Sequence, residues 1–190
     1  MDVQGYVNII KENLSPQRFQ HSLRVMEAAL DIADRLNVDK DKVCIAALLH
    51  DYAKDYKTEK LLELAEKNAL ITCQAEKVQP DLLHGPVGAW LCRHELGIAD
   101  ETILQAIRYH TTGHAAMNEL DTIVYLADLI EPGRRYKGVA ELRAICEQDI
   151  NAGLLYAFNC TLLYVIEREM LIHPFTIEAR NRLLAIKKIV

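Results

Sequence analysis

Apolar residues recur along most of the chain at the three- and four-residue spacing of an amphipathic α-helix. Ser15-Pro16 is typical of a helix start, with a capping hydroxyl followed by proline at the first helical position. Projected back along the helix that follows, the apolar stripe places His21 on its core face. The stripe consists of Val25, Ala28, Ala29, Ile32 and Leu36. Sustained alternation of apolar and polar residues, the pattern of a surface strand, occurs nowhere, so the sequence predicts an all-α fold.

The same spacing predicts a succession of further helices. They cover residues 6–14, 16–36, 40–49, 58–68, 84–91, 101–109, 120–130 and 149–171, with a last helix through 179–186. Residues 72–83 are polar, contain Pro80 and are expected to bend over the surface. A length of 190 residues, without an internal repeat or linker, favours one domain over residues 1–190.

Composition narrows the class of protein. Hydrophobic residues at 51% and charged residues at 26% are ordinary for a soluble globular protein. A net charge of -5 offers no general attraction to nucleic acid, so any phosphate-binding charge must be local. The N-terminus lacks a signal-type apolar core, and no run reaches the roughly 18 apolar residues of a membrane span. We therefore expect a cytoplasmic protein that binds neither nucleic acid nor membrane.

Five cysteines, an odd number without a C-x-x-C pair, are expected to be reduced core residues instead of catalytic thiols. They are Cys44, Cys73, Cys92, Cys146 and Cys160. Among the histidines, His94 and His114 are expected at the surface, and His173 is expected to be structural or to line a substrate site.

The stretch Leu48-Leu49-His50-Asp51-Tyr52-Ala53-Lys54 carries the strongest chemical signal. An uninterrupted apolar run before it indicates a helix whose end is buried. Burying an ionised Asp51 is costly unless a partner or a metal holds it. Because the side chains of neighbouring helical residues point about 100° apart, His50 and Asp51 can bind one ion only from two different sides. Other helices must then supply the remaining ligands.

His21 and Asp128 are the candidates for those ligands, since each falls on the core face of its own helix. Two imidazoles with two carboxylates suit divalent iron, manganese or a similar ion, with open positions for water and phosphate oxygen. Taken singly, His21 also fits a hydrogen-bonded core histidine and Asp128 a buried partner for an arginine.

The order H…HD…D on an α-helical chain resembles the HD-domain metal-dependent phosphohydrolases. More specific strings resemble their YqeK branch, the bacterial symmetrical diadenosine tetraphosphate hydrolases, over 18–181. These strings are L-L-H-D-Y-A-K, H-G-P, Y-H-T-T-G, D-L-I-E-P-G-R and I-H-P-F-T-I-E-A-R-N. The resemblance implies a single-domain HD-type helical bundle with a metal site between core helices, a bound iron and a nucleoside diphosphate product.

The resemblance also implies three groups of site residues. The metal ligands are His21, His50, Asp51 and Asp128. The residues around the phosphates are Arg18, Lys54, His84, His110, Thr111 and Arg134. The residues beside the nucleoside are Met170, Leu171, Ile172, His173, Pro174 and Phe175.

Cleavage of a phosphoanhydride develops charge on phosphate oxygens, which Lys54 and Arg134 would stabilise while Asp51 orients the attacking water. A solvated loop is the alternative for Arg134 and Arg135. His84 and His110 are expected to be catalytic, as donors to phosphate, ligands of a second metal or the acid for the leaving diphosphate.

The sequence therefore predicts a metal-dependent hydrolase that splits diadenosine tetraphosphate into two ADP. The alternatives are another nucleotide phosphohydrolase of the same fold and a non-catalytic metal and nucleotide sensor. The apolar stretch from Leu154 to Ile172 fits a homodimer face and core burial equally well.

Overall fold

Residues 2–189, described by a computed structural model with side chains to 186, form eleven α-helices and one 3₁₀ turn and contain no strand. In chain order these are α1 (Val3–Asn13), α2 (Pro16–Leu36), α3 (Lys40–Leu49), α4 (Thr58–Lys67), α5 (Gln74–Val78), the 3₁₀ turn (Pro80–Leu83), α6 (His84–His94), α7 (Glu101–Tyr109), α8 (Glu119–Ile130), α9 (Val139–Gln148), α10 (Ile150–Glu167) and α11 (Pro174–Ile189). The prediction of an all-α fold is confirmed.

Side-chain hydrogen bonds cap α2, α3 and α7 at the residues where the sequence predicts helix starts. The Ser15 hydroxyl accepts a hydrogen bond from the Arg18 amide, with Pro16 in the first turn of α2. Asp39 and Asp100 cap α3 and α7 in the same way, each accepting from two backbone amides. Helix α2 ends at Asn37, whose φ of 53° is the left-handed conformation that terminates many helices.

The centre of the fold is α3, which packs against α2, α7 and α8. Its residues from Val43 to Leu49 are apolar on nearly every side, and all but Ile45 are buried. A helix that is apolar all round is stable only inside a protein. This burial carries His50 and Asp51, which follow the last turn of α3, into the interior.

Two segments differ from the sequence expectations. Residues 72–83 do not bend over the surface, because they form α5 and the 3₁₀ turn with Ala75, Glu76 and Leu83 buried. Glu76 closes a capping box with Cys73, an N-cap residue less usual than serine or threonine.

Helix α9 was not predicted, although Val139, Leu142 and Cys146 form its buried stripe. The buried stripe has only these three members, which is too short a pattern to identify a helix from the sequence.

Helix α10 ends earlier than predicted, at Glu167 instead of Leu171. Glu169 has a φ of 54°, which breaks the helix and leaves Met170 and Leu171 in an irregular segment. Contrary to expectation, α10 is long and apolar enough to cross a membrane by length and composition, at a mean hydropathy of 1.3. Core helices of soluble proteins pass the same test, so this property by itself is weak evidence for a membrane.

The five cysteines are free thiols, as expected. Cys44, Cys92 and Cys146 are buried, and burial raises the pKa of each. These three side chains are therefore protonated packing groups at neutral pH.

We expect Gly113→Ala to destabilise the protein more than Gly97→Ala. Both glycines have positive φ, 62° and 69°, so both changes carry the cost of a left-handed alanine. A Cβ at Gly113 would also come within 2.5 Å of Phe158, whereas nothing lies within 4 Å at Gly97. Overpacking should add about 1–3 kcal/mol to the loss for Gly113→Ala, measured by denaturant unfolding. Equal losses in the two variants would contradict the packing argument.

Candidate metal centre

Four side chains predicted as metal ligands converge in the interior. His21 comes from the second turn of α2, His50 and Asp51 directly follow α3, and Asp128 comes from the last turn of α8. His21 Nε2 lies 2.9 Å from Asp128 Oδ1 and 3.7 Å from Asp51 Oδ2. His50 Nε2 lies 3.8 Å and 3.6 Å from the same two oxygens. His21, His50 and Asp51 lie close enough to one another to bind one ion, and Asp128 lies equally close to His50 and His110.

The outer nitrogens of the two histidines fix the orientation of the inner ones. His21 Nδ1 faces Glu131 Oε1 at 3.2 Å, and His50 Nδ1 faces the Ala47 carbonyl at 2.7 Å. Both partners accept hydrogen bonds, so each Nδ1 carries a proton and, in the neutral ring, Nε2 carries the lone pair. Both Nε2 atoms are buried, and neither has a hydrogen bond of acceptable geometry. A divalent cation between these atoms and the carboxylates would satisfy them.

The local electrostatics suit a cation. Burial lowers the pKa of His50 to about 4, although Asp51 and Asp128 act in the opposite direction. For Asp128, burial would raise the pKa, but His21 with its Nε2 at 2.9 Å, the neighbouring His50 and the charge of Arg134 outweigh burial and leave the pKa far below its usual value. The pKa of Asp51 is also well below normal, because His50, His84 and His110 outweigh its burial. Deprotonated ligands of this kind are the form that metals bind.

Asp51 joins this cluster to a second pair of histidines. Its Oδ1 lies 3.2 Å from His84 Nε2 and 3.6 Å from His110 Nε2, while its Oδ2 faces His21 and His50. His84 comes from the start of α6 and His110 directly follows α7. The structure therefore brings all four histidines around one buried carboxylate.

The two Nε2 atoms of His84 and His110 are only 2.9 Å apart. Each ring turns its Nδ1 toward a backbone carbonyl, of Asp81 for His84 and of Ile107 for His110. With both Nδ1 atoms protonated, two lone pairs would meet between the rings. A shared proton, or a cation ligand, resolves that repulsion. This geometry fits all three roles expected for the pair.

Three cations border the two clusters. Arg18 donates to Asp51 Oδ2 at 3.0 Å, and Arg134 bonds both the Oδ1 and, at 2.7 Å, the backbone carbonyl of Asp128. Lys54 lies 2.7 Å from Asp81 Oδ2 and 3.4 Å from His84 Nδ1. The solvated-loop alternative does not describe Arg134, which is half-buried against Asp128.

The segment predicted beside the nucleoside lies between α10 and α11. Met170 and Leu171 are exposed, whereas His173 is buried. The Leu171 carbonyl accepts from Gln79, and Phe175 packs edge-on against Tyr109 at 5.7 Å between ring centroids. In the same segment, Ile172 is half-buried, and Pro174 is exposed at the start of α11.

Thr111 directly follows His110, and its Oγ1 is buried without a hydrogen-bond partner among the described residues. It lines a small pocket with Glu76, Tyr109 and Phe175. A buried hydroxyl that makes no internal bond at a pocket wall is available to a ligand.

Glu131 is a site residue that the sequence analysis did not predict. Glu131 is buried and follows Asp128 by three residues. Its carboxylate accepts hydrogen bonds from His21 Nδ1, from Arg24 Nε at 2.7 Å and from the Gly133 amide. Burial acts to raise its pKa, but these hydrogen bonds outweigh that effect and lower it. Its spacing of three residues from Asp128 was the available signal, because residues i and i+3 share a helix face.

His114 also differs from the expectation of a surface residue. It is half-buried, and its Nε2 lies 3.1 Å from Oδ2 of the buried Asp121. His94 is exposed as expected and stacks on Trp90.

We expect Glu131→Gln to weaken metal binding by about 10–100-fold, because the amide cannot serve all three donors that now hold the carboxylate and orient His21. Competition with a chromogenic chelator measures the affinity. Glu27→Gln, an exposed change on the same α2 helix as His21, is the control. His50→Ala, which removes a ligand, sets the scale of complete loss. An affinity for Glu131→Gln equal to that of Glu27→Gln would contradict the orienting role.

Comparison with known proteins places this site in a family. The HD domain model matches residues 18–133, which include all four predicted metal ligands. The chain is 36% identical over 190 residues to a protein of Halalkalibacterium halodurans named symmetrical bis(5'-nucleosyl)-tetraphosphatase, covering 96% of this chain and 97% of that one. A Bacillus subtilis protein of the same name is 36% identical over 176 residues, with 93% and 94% covered.

A crystal structure from Clostridium acetobutylicum is similar over nearly the whole fold. It is described as an HD superfamily hydrolase involved in NAD metabolism. The TM-score is 0.92 at 39% identity, with 97% of this chain and 98% of that chain covered. The chain therefore belongs to the HD-domain family, in the group that includes these symmetrical tetraphosphatases.

Proposed function

We propose that this protein hydrolyses diadenosine tetraphosphate symmetrically into two ADP. The observation that carries the proposal is the convergence of two imidazole lone pairs and two ionised carboxylates beside three cations. A metal site bordered by Arg and Lys side chains suits phosphoryl transfer, in which charge spreads over phosphate oxygens. The names of the relatives, which cover nearly the whole chain, support the same reaction.

The metal would be held by His21, His50, Asp51 and Asp128, and we propose iron, with manganese or another divalent ion as alternatives. Such an ion would lower the pKa of the attacking water and polarise a phosphoryl oxygen. Two nitrogen and two oxygen donors without a thiolate fit this choice better than a structural zinc site.

The residues of the chain then position the substrate and the attacking water. Asp51, ionised and central, orients the water. The Arg18 and Arg134 side chains are about one-third exposed, at 32% and 33%, so phosphate oxygens can reach them from solvent. Together with Lys54 they would stabilise the charge that develops on the phosphates.

His84 and His110 hold a proton where the leaving diphosphate needs one. A proton shared between their Nε2 atoms, 2.9 Å apart, can pass to the departing phosphate oxygen or remain as a hydrogen bond to it. Burial lowers the pKa of His84, and Asp51 Oδ1, 3.2 Å from its Nε2, acts against that shift and would stabilise the positive charge of a protonated pair. Thr111, with its unbonded hydroxyl, would add a further donor.

The product depends on the distance between the nucleoside and the metal. In the proposed complex, the segment from Met170 to Phe175 holds one nucleoside, so that the second phosphate counted from it meets the catalytic centre. The bond that breaks is then the central phosphoanhydride, and both products are ADP.

We propose that the protein acts in the cytoplasm, without binding nucleic acid or membrane. Five free cysteines fit a reducing compartment. A net charge of -5 disfavours attraction to nucleic acid and to anionic lipid.

Hydrolysis in heavy-oxygen water tests the reaction. We expect two ADP per substrate, with one heavy oxygen in the terminal phosphate of one ADP of each pair, as read by mass spectrometry. His50→Ala should abolish product formation while leaving an α-helical circular dichroism spectrum. AMP plus ATP as the main products would mean asymmetrical cleavage.

A panel of other nucleotides, including NAD, distinguishes another phosphohydrolase of this fold. Metal and nucleotide binding without turnover of any of them under anaerobic ferrous conditions would favour a sensor.

We further propose a homodimer through an apolar surface on the second half of α10 and the segment after it. Leu163, Tyr164 and Ile166 are each more than half exposed, and Met170 and Leu171 continue the surface. The polar residues Glu167, Arg168 and Glu169 alternate in charge beside it. A stretch that carries both charges can pair with the same stretch of a second copy around a two-fold axis, which favours a copy of this chain over a lipid surface.

Sedimentation velocity tests the dimer. We expect Leu163→Glu combined with Ile166→Glu to yield monomers, because buried unpaired charges disrupt an apolar interface. Asn8→Glu, which places the same charge on the exposed face of α1, should remain dimeric. A wild-type protein that sediments as a monomer at tens of micromolar would contradict the proposed interface.

A further inference from the structure

The irregular segment between α10 and α11 needs an anchor. Residues 170–173 lie outside the helices, and Met170 and Leu171 are exposed. Within the described residues, the buried polar side chain of this segment is His173, at 5% exposure. The position of the segment therefore depends on what holds His173.

Glu76 on α5 faces that histidine. It is itself 5% exposed, and its Oε1 lies 3.3 Å from His173 Nε2. Its Oε2 accepts hydrogen bonds from the Thr72 amide at 2.5 Å, the Thr72 hydroxyl at 3.0 Å and the Cys73 amide at 3.2 Å. One carboxylate oxygen thus fixes Glu76 to its own loop, and the other is directed at His173.

The tautomer of His173 follows from a third contact. The Phe175 amide, in the first turn of α11, donates to His173 Nδ1 at 3.2 Å. Because Nδ1 accepts, the proton of the neutral ring lies on Nε2, toward Glu76. Burial would raise the pKa of Glu76, but the nearby His173 and the hydrogen bonds from Thr72 and Cys73 outweigh burial and lower it. The pair is therefore a carboxylate 3.3 Å from the protonated nitrogen of an imidazole, in a site shielded from water where the attraction between such groups is little screened.

A second tie joins the start of α11 to the catalytic side. The Thr176 hydroxyl, also buried, donates to the Thr112 carbonyl at 2.9 Å. Thr112 lies two residues after His110, whose ring contacts Asp51. Glu76 and Thr112 hold the two sides of the same junction, so the loss of one contact allows it to shift relative to the metal centre.

We propose that Glu76 is a positioning residue that sets the distance between the nucleoside-binding segment and the catalytic centre, and so determines which phosphate is attacked. This inference rests on the proposed function. A displacement of about 1 Å at a substrate-positioning residue can cost on the order of 100-fold in rate. A displacement along the phosphate chain changes the product as well as the rate.

A metal site is the competing explanation for this cluster. The ligand atoms of Cys73, Glu76 and His173 lie within 4.8 Å of one another. Hydrogen bonds account for Glu76 Oε2 and His173 Nδ1, whereas His173 Nε2 and Glu76 Oε1 meet at 3.3 Å without good hydrogen-bond geometry. The amide of Phe175 occupies the lone pair of Nδ1 and leaves the ring proton on Nε2, so the neutral ring has no free lone pair for an ion, which favours the positioning role. The two explanations make different predictions for metal content.

Glu76→Gln is the decisive variant, because its amide oxygen can still accept from Thr72 and Cys73 while its amide nitrogen meets the protonated His173 Nε2. The control is Glu66→Gln, an exposed change on α4. With the metal-loaded full-length protein, we expect Glu76→Gln to raise KM for diadenosine tetraphosphate, lower kcat/KM by about 10–100-fold and release measurable AMP plus ATP. Glu76→Asp, which keeps the charge, should restore ADP as the main product.

Three outcomes would overturn the proposal. One is a kcat/KM for Glu76→Gln within twofold of the control with ADP alone. Another is the loss of one bound metal equivalent in Glu76→Gln but not in Glu66→Gln. The third, independent of turnover, is unchanged amide hydrogen exchange over residues 170–173. A wild-type protein that does not cleave the substrate would instead count against the proposed function, while the hydrogen-exchange comparison would still test the anchor.

Discussion

A single buried carboxylate organises this protein. Asp51 is 3% exposed, and its two oxygens face different partners, His21, His50 and Arg18 on one side and His84 and His110 on the other. An ionised group at this depth is stable only when its surroundings compensate the loss of water. Four helices and the residues that follow them meet at this point for that reason, and the apolar α3 delivers the carboxylate to them.

The arrangement couples metal binding to phosphate binding. Arg18 and Arg134 each pair with a carboxylate predicted to hold the metal, Asp51 and Asp128 respectively. A cation bound between the carboxylates would compete for their oxygens and free the guanidinium groups, which then face incoming phosphates. The same arginines that neutralise buried charge in the protein alone would therefore be available to the proposed substrate once the metal is bound.

Much of the centre could be predicted from the sequence, because its signals are local. The apolar run before His50 and the stripe through His21 depend on helical spacing alone, and both side chains point inward as expected. The approach of His84 and His110 to 2.9 Å could not be predicted from spacing, since 26 residues separate them and only the packing of α6 on α7 brings them together. Glu76 was concealed for a similar reason. Its capping box begins with Cys73 instead of a serine or threonine, and its partner His173 lies far along the chain, just before α11.

The site combines parts of different rigidity. The predicted metal ligands lie on α2 and α8 and at the end of α3, where packing of wholly buried side chains such as Val25, Leu48 and Val124 leaves little freedom. The proposed nucleoside segment follows the left-handed turn at Glu169 and is held by polar contacts from α5 and from the loop after His110. Chemistry that depends on fixed charges suits the first environment. To select one phosphate among four, the protein must fix the distance between the proposed nucleoside segment and the metal centre. At the edge of the core, where apolar packing is incomplete, polar contacts of defined geometry can fix that distance.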